Sequence, residues 1–172
     1  MAHAGQSRLP RAKGSAERPS QVLKLTKRMS MLFRERLDER LRPLGITTAQ
    51  LQMLAALSDT AGPVGKSGAQ ISRYCQVTPQ TTHALLSTAE RLGWVARAPH
   101  PENAHTLVAS LTPLGKRVFS RGRALAVTLQ SQMLRSLSAA EVRQLEATLT
   151  TLIANLNDTR TEASPSRQRA NR

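Results

Sequence analysis

Cysteine is nearly absent from this chain: Cys75 stands alone among 172 residues. A single thiol excludes an internal disulfide and fits a reducing compartment, so the expected location is cytoplasmic. Aromatic side chains are almost as scarce, with Phe33, Tyr74, Trp94 and Phe119 the whole set. So few rings leave no series of platforms on which the bases of a single strand could stack. No apolar run approaches the roughly 18 residues that a bilayer span requires. The first residues also lack the apolar core of a signal peptide, so no membrane partner is expected. Acidic residues are outnumbered, 11 against 25 Lys and Arg, and the formal net charge is +14. That excess points to a polyanionic partner.

The positive charge collects at the ends. Residues 1–28 carry seven Lys and Arg against one Glu, residues 160–172 four Arg against one Glu, and +5 remains between them. Both ends are rich in Ser, Pro, Ala and Gly. Residues 1–19 and 159–172 therefore read as basic arms too polar to fold alone. The length suits one domain with a sizeable core.

Between the arms the sequence is punctuated by helix starts. Val22, Leu25, Met29, Leu32, Phe33, Leu37, Leu41 and Leu44 recur at steps suited to an amphipathic helix over about residues 20–42, ended by Pro43 and Gly45. Thr47-Thr48-Ala49-Gln50 has capping-box spacing and should start a helix through Leu51, Leu54 and Leu57. A loop follows from Asp59 to Lys66. Ser67-Gly68-Ala69-Gln70 is a second box, opening a short helix that ends near Cys75. After a tight Gln76-Val77 turn, Thr78 can cap a helix whose first position is Pro79, where no N–H is needed. That helix should run to Leu92 and stop at Gly93. Two helices joined in this way form a helix-turn-helix.

Trp94–Arg97 and His105–Leu111 read as strands, with Pro99–Ala104 turning the chain between them into a wing. Thr112-Pro113 repeats the cap-then-proline pattern and opens a long helix carrying Leu114, Val118, Leu125, Leu129 and Met133. Ser138–Glu141 is another capping box, ahead of a seam of Val142, Leu145, Leu149, Leu152 and Leu156. The expected fold is mainly α with a small β-hairpin wing. A winged helix-turn-helix over residues 46–112 is flanked by a helical region, residues 20–45 and 113–158. The terminal helices hold more apolar surface than so small a core needs. Pairing two chains as a homodimer would bury the excess, and an intramolecular bundle satisfies the same periodicity.

Helix, turn, helix and wing in this order form a device for reading double-stranded DNA. On the second helix Thr82, Leu85, Leu86, Ala89 and Leu92 should face inward. Gln80, Thr81, His83, Ala84, Ser87 and Arg91 should face outward. The hydrogen-bonding members of that face suit base edges and phosphates, although a solvated polar face would have the same pattern. With Arg91 the only permanent cation there, phosphate binding would rest on Arg73, on Arg97 and on the arms.

Other groupings carry less. Cys75 lies one turn after Ile71 and reads as a buried small hydrophobe. His100-Pro101-Glu102-Asn103-Ala104-His105 offers three candidate ligands on a turn, without a fourth or a fixed geometry, so no metal is expected. Gly65-Lys66-Ser67 fails as a phosphate loop because Thr60 occupies the position of the required glycine. No Ser, His and acid grouping suggests a nucleophile with its base, so neither an enzyme nor a cofactor is expected.

Four segments also carry a family resemblance. Ile46-Thr47-Thr48-Ala49-Gln50-Leu51 resembles an "L-T-x-x-Q" opening. Ile71-Ser72 with Val77-Thr78-Pro79-Gln80-Thr81-Thr82 resembles "L-A-x-x-L-x-V-S-P-x-T-V". Leu92-Gly93-Trp94-Val95-Ala96-Arg97 is similar to "R-G-L-V-x-R", and Leu111-Thr112-Pro113-Leu114-Gly115 to "L-T-x-x-G". In this order, over about residues 22–157, they resemble the MarR family of bacterial winged-helix transcriptional regulators. The resemblance implies a homodimer, built from the terminal helices, that acts as a repressor on a pseudo-palindromic operator. It also implies recognition helices in the major groove, wings at the minor groove, and release by a small aromatic or phenolic effector or by thiol oxidation. Its DNA-binding positions would be Arg73, Thr78, Pro79, Gln80, Thr81, His83, Ser87, Arg97 and His105. The chain departs from the family at the wing, where Asn103-Ala104-His105 replaces Asp-x-Arg, and at Ala84, where many relatives have Arg. These departures leave a second reading open, a winged-helix adaptor that binds another protein.

Overall fold

Serine and threonine set the helix starts from Thr47 onward. The computed structural model describes residues 18–59 and 65–162, so residues 1–17 and 163–172 of the two arms and residues 60–64 of the expected loop lie outside it, while residues 18–19 and 159–162, read as parts of the arms, are in helices. Helix α1 (Arg18–Leu41) runs into a 3-10 turn at Arg42–Leu44, and Gly45 closes that turn at φ 67°. Helix α2 (Thr48–Ser58) starts with the expected capping box: the Thr47 hydroxyl accepts from the Gln50 amide, and the Gln50 side chain accepts from the Thr47 amide. Asp38 of α1 takes the next free amide, that of Thr48, at 2.6 Å. One carboxylate thereby fixes where α2 leaves α1. Leu51, Met53, Leu54, Ala56 and Leu57 are all buried, so α2 is enclosed on most of its circumference.

Three strands follow where the sequence suggests two. Strand β1 (Lys66–Ser67) pairs antiparallel with β3 (Asn103–Leu111), which pairs on its other side with β2 (Val95–His100). Lys66 is thus in a strand and not in a loop, and two residues are too few for any periodicity to reveal. The hairpin is also longer than expected, and its turn shrinks from Pro99–Ala104 to Pro101-Glu102. Pro99 lies opposite Leu107 within β2. An edge strand tolerates the missing N–H, and the register shifts directly after it.

Helices α3 (Gly68–Cys75) and α4 (Pro79–Arg91) precede the hairpin, and α5 (Pro113–Leu134) and α6 (Ala139–Glu162) follow it. Thr112 joins sheet to helix: its hydroxyl donates to the Gly93 carbonyl at 2.6 Å and accepts from the Gly115 amide at 3.0 Å. Gly115 lies so close to the Trp94 backbone that a Cβ would land on the Trp94 carbonyl oxygen. Gly122, two turns further along α5, seats against Leu51, Ile46 and Leu41.

By contacts the chain divides into two compact units, Met1–Ala126 and Val127–Arg172. The first holds the core, with Leu41, Met53, Leu54 and Ile71 almost completely buried and Trp94 beside them. Helix α1 divides its apolar face. Leu37 and Leu41 are in this core, whereas Val22, Leu25, Met29 and Leu32 are exposed. In the second unit, α6 starts at the Ser138–Glu141 box and exposes Leu145, Leu152, Ile153 and Leu156.

Gly115→Ala should therefore lower the thermal midpoint by an amount equivalent to about 1–3 kcal/mol or more, the cost of forcing an atom into a packed contact. Gly68→Ala should leave the midpoint unchanged or slightly raised, because nothing lies within 4 Å of its Cβ position. Thermal denaturation of the two variants checks this contrast.

Candidate nucleic-acid interface

The elbow between α3 and α4 is set by one backbone inversion and one buried hydroxyl pair. Gln76 adopts the left-handed conformation at φ 53°, and the Ser72 carbonyl accepts the amides of both Gln76 and Val77. This closes α3 as a C-cap usually does, although without the customary glycine. Thr78 then caps α4 by accepting from the Thr81 amide at 3.2 Å, and the two threonine hydroxyls lie 2.9 Å apart. Inside the elbow Ser72 Oγ and Thr82 Oγ1 lie 2.8 Å apart, both residues buried. Neither hydroxyl could be left alone there without the cost of an unpaired polar group.

This geometry turns one side of α4 outward. Thr82, Leu86 and Ala89 are buried and Leu85 is half-buried, while Gln80, Thr81, His83, Ala84, Ser87 and Arg91 are exposed together with Thr78 and Pro79. Leu92 is the exception, expected inward but 39 % exposed. It is the C-cap, followed by Gly93 at φ 71°, so helical periodicity no longer governs its direction. The first turn of α4 holds no acidic residue. Its positive helix end is open to an anion, although Pro79 brings no N–H and Thr78 holds the Thr81 amide.

The basic candidates differ among themselves. Arg73 is exposed in the last turn of α3, where a cation meets the negative end of the helix dipole. Arg97 on β2 is turned inward, its side chain 17 % exposed. Its Nη2 donates to Ser87 Oγ at 3.3 Å, and its Nε lies 3.3 Å from Glu90 Oε2. At the wing tip His105 is exposed and its amide donates to Asn103 Oδ1, while His100 Nδ1 accepts from the Glu102 amide at 3.1 Å. The tip is thus a pair of side-chain-closed turns carrying one acid and two imidazoles.

Sequence reasoning missed Glu90 as the partner of Arg97, and Ser72 as the partner of Thr82. The second carried a signal, since a threonine at an inward helix position needs a hydrogen-bonding neighbour. The first carried none, because helix and strand meet there only in the fold.

Cys75 is half-buried, and desolvation raises its thiol above the usual range. Fewer thiolates form near neutrality, and the thiolate is the reactive species. Among the described residues no group of His, Cys, Asp or Glu could hold a metal ion, and no helix is long and apolar enough to cross a membrane. A groove of about 320 Å³ opens between the start of α3, α4 and the sheet, with Leu86, Leu107 and Val108 on its walls and Lys66, His83 and Arg97 among its polar lining.

Comparison with known proteins agrees with this architecture. The MarR family model matches residues 44–104. The HTH-type transcriptional repressor Rv2887 of Mycobacterium tuberculosis is 30% identical over 122 residues, which is 71% of this chain and 86% of that protein. The chain belongs to the MarR family and is a DNA-binding transcriptional regulator of the winged-helix type. Among solved structures, Rv2887 in complex with salicylic acid is 30% identical with a TM-score of 0.60, covering 74% of this chain and 93% of that one. The S. aureus MepR–DNA complex shares the fold, with 22% identity and a TM-score of 0.71 over 77% of this chain and 96% of that one.

Two outcomes follow from this geometry. Thr82→Val should cost about 1–3 kcal/mol in chemical denaturation, because Ser72 Oγ loses its buried partner. Cys75→Ser should leave folding and DNA binding intact, and alkylation of the native thiol by iodoacetamide near neutral pH should be slower than that of free cysteine.

Proposed function

We propose that two copies of this chain bind a pseudo-palindromic duplex operator and repress transcription from it. The carrying observation is the outward face of α4. Gln80, Thr81, His83 and Ser87 are exposed beside a capped helix start free of acidic side chains. In a dimer the two α4 helices enter successive major grooves, roughly 10 base pairs apart on one side of the duplex. Gln80 suits the paired donor and acceptor of adenine. Thr78, Pro79 and Thr81 place the helix start against phosphate, Arg73 contacts the backbone from α3, and His105 stands at the minor groove where relatives carry Arg. The wing base is the place of Arg97.

The dimer reading rests on the bare apolar side chains. Val22, Leu25, Met29 and Leu32 of α1, and Leu145, Leu152, Ile153 and Leu156 of α6, are exposed in the single chain. Each gains roughly 1.5–3 kcal/mol on full burial. A second copy is the partner that covers them.

A small aromatic acid is the proposed effector. Its support is the salicylic acid complex of a protein 30% identical to this chain, together with an apolar-walled groove edged by Lys66 and Arg97. Binding to the folded state alone would raise the thermal midpoint.

The test is a mobility shift on a duplex that the protein enriches from a random-sequence pool. Gln80→Ala should weaken binding to that duplex by about ten- to a hundredfold, the value of one good base contact, and leave binding to unrelated DNA unchanged. Salicylate should raise the thermal midpoint and release the duplex. Failure to enrich any sequence, with capture of a protein partner instead, would favour the adaptor reading.

A further inference from the structure

Arg97 is a strong cation that spends its contacts inside the protein. Its guanidinium lies between two residues of α4, with Nη2 donating to Ser87 Oγ and Nε facing Glu90 Oε2, each at 3.3 Å. Nε is enclosed, and its hydrogen is not aligned on the carboxylate. The Glu90 contact is therefore charge against charge, and the Ser87 contact is the directed one.

Two consequences follow for the reading face. The first concerns charge. Glu90 sits in the last turn of α4, where an anion meets the negative end of the helix dipole, on a helix that is offered to a polyanion. Arg97 cancels it. A guanidinium engaged in this way contributes no net charge towards phosphate.

The second concerns hydrogen-bond polarity. A serine hydroxyl has one hydrogen and two lone pairs, whereas arginine can only donate. The direction of the Arg97–Ser87 bond is thus fixed, and it occupies a lone pair of Ser87 Oγ. Among the described residues the Ser87 hydrogen has no acceptor, and Ser87 is exposed. Its hydrogen is left for a partner outside the protein.

We propose that Arg97 is a positioning residue. It neutralises Glu90 and presents Ser87 to DNA as a hydrogen-bond donor, and it does not itself bind phosphate. The inference rests on the operator reading above and refines it. Ser87 should favour a base edge that accepts in the major groove, guanine O6 or N7, thymine O4 or adenine N7, and should disfavour the N4 donor of cytosine.

The experiment uses the full chain and the duplex enriched by the wild-type protein from a random pool. If the wild-type protein enriches nothing, the operator reading fails before this inference is reached. If it does enrich a duplex, the salt dependence of Kd is measured for the wild type and for the Glu90→Gln/Arg97→Gln double variant. The expected slope is the same for both, because the two removed charges served each other. A slope shallower by about 0.9 in the double variant means that Arg97 neutralises a phosphate, and overturns the proposal.

Base preference is the second readout. Ser87→Ala should lose selectivity at one position of the enriched site, and Arg97→Gln should lose it at the same position, with no further loss when the two are combined. Arg97→Lys keeps the charge beside Glu90 and a side chain that can only donate, so it should retain both the salt slope and the preference. Retention of the Ser87-dependent preference in Arg97→Gln would overturn the proposal.

Discussion

The angle between α3 and α4 depends on a hydroxyl pair enclosed in an apolar elbow, Ser72 against Thr82 at 2.8 Å. Around it Ile71, Leu86 and Ala89 are buried. Directional bonding is what the elbow needs, because apolar contact fixes distance better than angle. Gln76 supplies the inversion of the backbone, and Thr78 with Pro79 begins α4 at once. The outward direction of Gln80, His83 and Ser87 is a consequence of these local bonds. The reading face is built from the inside.

The remainder of the head holds that face in place by close backbone approach. Gly115 lets α5 start against the Trp94 carbonyl, and Thr112 ties the same corner to Gly93. The wing is therefore clamped at its base, next to the end of α4, while its tip is held only by short turns at Asn103 and Glu102. A rigid base and a lightly held tip suit a wing that adjusts to the groove it enters. With His105 in place of the family's arginine, the tip lacks a permanent cation.

Much of this was legible in the sequence because the signals are local. The boxes at Thr47–Gln50, Ser67–Gln70 and Ser138–Glu141 each involve residues three apart, and all three form. The cap-and-proline starts at Thr78 and Thr112 act as expected, and the outward side of α4 follows from its periodicity. What was not legible depends on residues that meet only after folding. Strand β1 exists because Lys66 and Ser67 reach the free side of β3. Asp38 caps a helix ten residues away. Arg97 meets Glu90 and Ser87 of α4, neighbours that no local pattern reveals. Leu92 fits the inward pattern numerically, yet it lies where the helix has ended.

The central claim is that α4 is presented twice to one side of B-form DNA. A hydroxyl-radical footprint on a duplex enriched by the protein measures this directly. The account predicts two protected patches centred roughly one helical turn apart, symmetric about a shared midpoint. A single patch, or uniform protection without a midpoint, would contradict it.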